Sequence, residues 1–416
     1  MARLSAVQRN RWLVAAVVGV VLGGCSSGAV VAPVPTTPVP TTPAPTTPAP
    51  TSSAIVASST ATPTTTSGEA GPGTTDAAIT EVPDTGLASV PVDATCTFTA
   101  AQAGSGSITF AKAGKLFELV PGAPAAACVA PLGDQRAAAV TWSPDGTRAL
   151  VGGVKVVASN AVRPSGFDPG DGSVSWSYPT GKALIAPSTA TGSLTWRNSA
   201  DPTQTRDVSF LAHTDVAVYH LAGKDIIAAG TANDGVRGLF IASNRGENVR
   251  TLATLNEPTT KITAIAVSPD NFVYFVHDHG TYQELHSLQL PGLILTNLAR
   301  GEQGETLSQL TVGAAGVAVA VGDCSATMRV WSNTLAEGRQ VLPGRSVMPV
   351  GWLGTNLVVV ARTQGCSGPA DVWLVDTLDA GTSATRLLQA VDEVSVRTVL
   401  ANYQEVPGDI NAQAPG

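Results

Sequence analysis

The stretch Ala139-Val140-Thr141-Trp142-Ser143-Pro144-Asp145-Gly146-Thr147-Arg148-Ala149-Leu150-Val151 decides the fold. Residues 139–142 and 148–151 are short β-prone runs. Between them Pro144 has the fixed φ that the second position of a type I turn needs, and Gly146 tolerates a left-handed backbone. The stretch therefore predicts a β-hairpin with a tight turn. The same unit recurs at Val174-Ser175-Trp176 into 182–186, at 216–220 into 225–229 and at 264–267 into 272–276. It recurs again at 310–312 into 317–321 and at 349–352 into 356–360. The anchors at 142, 176, 220, 267, 311 and 352 are 34 to 47 residues apart. A third strand follows at several of them: 238–242 (GLFIA), 284–290 (ELHSLQL), 328–331 (MRVW) and 371–376 (DVWLVD).

Periods near 40–45 residues with about four strands each predict propeller blades. Six hairpins give six blades. Strands at 107–110 and 115–120 precede the first hairpin, and 394–400 follows the last. Pairing them builds one further blade from both chain ends and removes the exposed sheet edges. The expectation is an all-β, seven-bladed β-propeller over 92–404, with a six-bladed ring as the alternative. Residues 386–403 also fit a terminal helix, because short apolar runs are ambiguous by period alone.

The whole 416-residue sequence holds 42 Gly and 29 Pro, with only 13% charged residues. That composition excludes a long helical or coiled-coil protein. The net charge is −7 and the expected mature chain, with 21 Lys+Arg against 31 Asp+Glu, is more acidic still. Such a chain repels phosphate backbones, so no nucleic-acid partner is expected.

The first residues read as an address. Arg3, Arg9 and Arg11 form a positive region, and Trp12 to Leu22 is an apolar run of eleven residues. Eleven residues are too few to span about 30 Å of hydrocarbon but suit a signal peptide. The run ends in Leu22-Gly23-Gly24-Cys25, which resembles the lipobox of bacterial lipoproteins. The resemblance implies cleavage of residues 1–24 and a lipid on Cys25, hence a tether to the extracytoplasmic face of the cell membrane. Residues 25–91 then read as a linker. They are rich in Pro, Thr, Ala and Ser, with TTPVP, TTPAP, TTPAP over 36–50. Such a run favours extended polyproline II and cannot bury a core. Residues 405–416 read as a flexible tail.

The turn stretch 142–146 followed by a β-prone run resembles the WD40-like repeats of TolB-type β-propellers. Ser268-Pro269-Asp270-Asn271 is a near match, and the other repeats have drifted. Together with the lipobox, the likeness implies a secreted lipoprotein that acts as a binding or scaffold module, with an envelope protein or cell-wall component as partner. The excess of Arg (18) over Lys (6) is compatible with an actinobacterial, GC-rich source.

Four further cysteines, Cys96, Cys128, Cys324 and Cys366, are an even number in an exported chain, which favours disulfides. Three pairings are open. The repeats favour Cys96–Cys128 with Cys324–Cys366, because the second pair follows equivalent strands in adjacent blades. The turns between second and third strands share one face of a propeller. That face carries Asn233, Asp234, His277, Asp278, His279 and Asp323, a possible ligand face. His277 and His279, two imidazoles at i and i+2 with a carboxylate nearby, are a pattern that can help bind a metal or an anionic ligand, but a solvated polar loop is the better reading, and no metal or cofactor is expected. His220 and His286 lie within strands and read as structural. No nucleophile elbow, zinc-protease motif or P-loop occurs, so no catalytic residue is assigned. The alternative is a propeller hydrolase or lyase acting on envelope glycans or small metabolites. It needs carboxylates from distant blades, which the sequence does not reveal.

Overall fold

The computed structural model describes residues 80–81, 86–99, 106–133, 139–158, 161–167, 174–176, 183–188, 194–210, 213–222, 225–243, 245–255, 260–268, 270–290, 292–323, 328–334, 342, 345–362, 368–377 and 383–398. All of these lie in one compact unit, Pro72–Gly416. The signal segment, Cys25, the linker before residue 80, Cys324, Cys366 and the tail fall outside the described residues.

The strands follow one another along the chain. First come β1 (Thr80–Glu81), β2 (Gly106–Lys112), β3 (Lys115–Leu119) and β4 (Ala127–Pro131). Blade 1 is β5 (Val140–Trp142), β6 (Ala149–Val151), β7 (Lys155–Ala158) and β8 (Ala161–Pro164). Blade 2 is β9 (Ser175–Trp176), β10 (Ala183–Pro187), β11 (Leu194–Asn198) and β12 (Thr205–Val208). Blade 3 is β13 (His213–Ala222), β14 (Asp225–Ala232), β15 (Arg237–Ser243) and β16 (Arg250–Leu255). Blade 4 is β17 (Lys261–Val267), β18 (Phe272–Asp278), β19 (Gln283–Gln289) and β20 (Ile294–Arg300). Blade 5, among the described residues, has three strands: β21 (Leu307–Gly313), β22 (Gly316–Val321) and β23 (Arg329–Ser332). Blade 6 is β24 (Ser346–Leu353), β25 (Asn356–Arg362), β26 (Ala370–Asp376) and β27 (Ser383–Val391). The last strand, β28 (Val394–Thr398), pairs antiparallel with β2, so blade 7 runs β28-β2-β3-β4.

The ring is thus seven-bladed, and its closing blade takes one strand from the C-terminal end and three from the N-terminal side. The six-blade alternative does not hold. Nor does a helix near the C-terminal end, since residues 383–391 and 394–398 are strands. Residues read above as the end of the linker run along the propeller. β1 adds a parallel fifth strand to blade 6, Ala88 donates to Leu387, and Ser89 exchanges hydrogen bonds with Pro124 and Ala126.

What holds the ring is apolar burial between sheets. Successive side chains of a strand face opposite sides. Ile226 and Ala228 of β14 therefore pack against blade 2, while Ile227 packs against blade 4. The same split recurs in β18, where Phe275 faces blade 3, and Tyr274 and Val276 face blade 5. Seven buried clusters join each blade to the next, including blade 7 to blade 1 through Leu116, Val129 and Val151. Trp176, Trp352 and Trp373 are buried in these seams rather than displayed. Gly313 shows how close the blades come, because a Cβ there would stand 2.5 Å from Trp352.

First strands of neighbouring blades touch one another: β13 meets β9 and β17, β21 meets β17 and β24, and β28 meets β24 and β5. Four of them, β13, β17, β21 and β24, carry a register shift against their second strands. Such bulges add local twist and bend the strand.

Candidate functional site

The turns from second to third strands lie at one end of the ring, and the site is built in the turn of blade 4. The hairpin register sets His277 opposite Glu284 and Phe275 opposite His286. By the two-residue period, Phe275, His277, Glu284 and His286 share one face of the sheet, the face turned to blade 3. His279, two residues beyond His277, joins them. The sequence reading puts His277, Asp278 and His279 together in a loop. The structure carries β18 through Asp278, so only His279 opens the turn.

The three imidazoles gather tightly. The His277 and His279 rings are 3.9 Å apart between centroids, and His277 and His286 are 5.8 Å apart. One nitrogen from each of His277, His279 and His286 can be chosen so that all three lie within 4.8 Å of one another. Oε2 of Glu284 stands 3.3 Å from Nε2 of His279 and 3.2 Å from Nε2 of His286. Burial holds the His286 imidazole below its ordinary pKa, partly offset by the Glu284 carboxylate. The neutral imidazole is therefore favoured. Beside the cluster, His279 stacks on Tyr282 at 4.5 Å, and the Arg300 guanidinium lies 3.7 Å above that ring. Tyr282 and Arg300, with Thr281 and Glu302, line a cavity of about 630 Å³. A second cavity of about 490 Å³ lies between blades 3 and 4, with Arg237, Lys261 and Asp215 on its walls.

The other residues of the expected ligand face are placed separately. Asp278 points to the opposite side of its strand, 3.7 Å from Lys261, and accepts the Gly280 amide at 2.8 Å. Asn233 and Asp234 are exposed in the β14–β15 turn, where Asp234 accepts the Val236 amide at 3.0 Å. Asp323 is exposed just after β22. The two residues that sequence reasoning did not assign to the site are His286 and Glu284. Extending the register outward from the 279–282 turn is the signal that finds them.

His220 lies in β13. Burial pushes its imidazole down to about 4, though part of its surface reaches solvent. An unfolded imidazole protonates near 6.5. The folded value is the lower one, so the unfolded state binds the proton first as pH falls. His220 leaves stability intact above about pH 6.5 and subtracts from it between there and about 4. Denaturation midpoints followed from pH 7 to pH 4 are expected to fall less steeply in His220→Gln than in the wild type. Parallel curves would contradict this.

The disulfide Cys96–Cys128 is present. It joins the segment before β2 to β4, the outer strand of the closing blade.

No protein-family model matches the sequence, and no curated protein matches it. Solved structures do match. A puromycin hydrolase is 16% identical, with 77% of this chain and 55% of that chain covered and a TM-score of 0.44. A prolyl endopeptidase is 12% identical, covering 76% and 50%, with a TM-score of 0.46. TolB from Acinetobacter baumannii is 14% identical, covering 64% and 68%, with a TM-score of 0.39. The chain spans about half the length of the two hydrolytic neighbours. These likenesses are too distant to assign a family, and the seven-bladed β-propeller is established by the strand pairing itself.

Proposed function

We propose that the chain is an exported lipoprotein, held by Cys25 at the extracytoplasmic face of the cell membrane, whose propeller is a binding module. The observation that carries this reading is the Cys96–Cys128 disulfide. Structural disulfides persist in oxidising compartments outside the cytosol. This one follows a positive segment, an eleven-residue apolar run and Leu22-Gly23-Gly24-Cys25. The seams between blades make the body rigid, which leaves the turns free to vary and to recognise a partner. The second-to-third-strand face, with Asn233, Asp234, His279 and Asp323, supplies the polar groups for an envelope protein or cell-wall component.

The test has two readouts on the full chain in its own cells. An alkyne fatty acid fed to the cells is expected to label the wild type and not Cys25→Ser; equal labelling removes the anchor. A photo-crosslinking residue at Asp323 is expected to give a discrete adduct, while one at Val120, exposed in the β3–β4 turn of the opposite face, gives none. Identical patterns from both positions would refute recognition by this face.

A further inference from the structure

We propose that His277, His279 and His286 bind a divalent first-row transition-metal ion, with zinc(II) as the type, and that Glu284 positions the imidazoles. The argument begins with placement. Two adjacent antiparallel strands and the turn between them deliver three imidazoles and one carboxylate to a single sheet face whose remaining strand residues, Val273, Phe275 and Leu288, are apolar. Polar side chains on such a face need partners. His286 is 9% exposed, yet its Nδ1 has no hydrogen-bond partner.

The neighbouring carboxylate explains what that nitrogen is for. Glu284 lies against the Nε2 side of both His279 and His286. At 3.2 Å the carboxylate favours the imidazole proton on Nε2, although the contact is not aligned as a hydrogen bond, and so leaves the Nδ1 lone pair of His286 available to an ion. Ligating histidines in metal sites are commonly oriented by a carboxylate in this way. A second role of Glu284 is charge. A dication among three neutral imidazoles is a large local charge, and the adjacent carboxylate offsets half of it.

The donor set selects the ion. Imidazole nitrogens suit zinc, copper, nickel and cobalt, while calcium and magnesium take oxygen ligands. In a tetrahedral site with metal–nitrogen bonds of about 2.0–2.1 Å, donor atoms stand about 3.3–3.4 Å apart. The present upper bound of 4.8 Å closes to that by small χ rotations of partly buried rings. His277 and His279 keep some exposure, which gives the ion an entry path. Three protein ligands leave a fourth position for water or for a donor atom of a bound partner.

The experiment uses the full chain without a histidine tag, stripped with a chelator and titrated with zinc(II) alone by calorimetry. Cobalt(II) serves as the spectroscopic probe. One ion per chain is expected, with the visible absorption of a low-symmetry cobalt site. Glu284→Gln is expected to keep the stoichiometry and weaken binding by about 10–100-fold, the range for a residue that orients ligands. His286→Gln, which removes a ligand outright, is expected to weaken it more than Glu284→Gln does. Because His286 is buried, the double variant His277→Ala/His279→Ala repeats the test at partly exposed positions, and circular dichroism checks that it folds. Failure to bind zinc would overturn the proposal, as would unchanged affinity in the folded double variant. Either result leaves the crosslinking test above unaffected.

Discussion

Arg397→Met is expected to lower the folding stability by about 3–5 kcal/mol, the cost of breaking a buried ion pair from one side. Arg397 sits on β28, the strand that closes the ring, and its side chain is fully buried. Nη1 donates to both oxygens of Glu118 on β3, at 3.0 and 2.9 Å. Nε donates to the Gly146 carbonyl at 2.8 Å and Nη2 to the Thr99 carbonyl at 3.0 Å. The guanidinium also lies 4.2 Å from the centre of the Trp142 ring. One side chain thus ties the last strand to the blade it completes, to the first hairpin and to the segment leading into β2. Without it, Glu118 keeps only the hydroxyl of Ser107 among these partners. Lysine does not restore the fork, because an ammonium lacks the planar pair of donors. Arg397→Met with Glu118→Leu is expected to recover part of the loss by removing the stranded charge. Recovery stays incomplete because the Gly146 and Thr99 carbonyls lose their donor, at about 1–3 kcal/mol for each buried group left unpaired. Urea denaturation of the four proteins in the cycle measures this. A single-variant midpoint equal to that of the wild type would refute it.

The second large effect is expected from the disulfide. Replacing Cys96 and Cys128 by serine is expected to cost about 3–4 kcal/mol, the chain-entropy value for a loop closed across 32 residues. The bond acts with neighbours. The Thr97 amide donates to the Cys128 carbonyl at 2.9 Å, and Lys115 Nζ donates to the carbonyls of Val92 at 2.6 Å and Ala94 at 3.0 Å. These contacts hold the entering segment along blade 7, and Phe98 and Arg397 pack beside it. Thermal and urea unfolding with and without reductant tests the value. Coincident curves would show that the covalent link contributes nothing.

Much of the ring is legible from local chemistry. In Ser143-Pro144-Asp145-Gly146, Asp145 accepts the Ser143 hydroxyl at 2.6 Å and the Thr147 amide at 3.0 Å, and Gly146 has φ +64°. Those interactions span at most a few residues, so residue type alone announces them. The closing blade is legible by a different route, because strands left over at the two ends need each other. The Arg397–Glu118 pair is not legible, since its members are 279 residues apart and nothing local in either strand names the other. The histidine site stands between these cases. His277 and His279 are visible as neighbours in sequence, but His286 reads as an ordinary strand residue until the register is fixed. One residue of slip would turn it to the other side of the sheet.

The pairing of β2 with β28 also sets an order of events during synthesis. Residues 106–131 leave the ribosome early, with one side of β2 awaiting a strand that is made some 290 residues later. Contacts this distant in sequence form slowly, and an unpaired edge invites wrong partners meanwhile. A chain released before residue 398 therefore cannot finish its circle, and its first-made sheet is the one left with an adhesive margin.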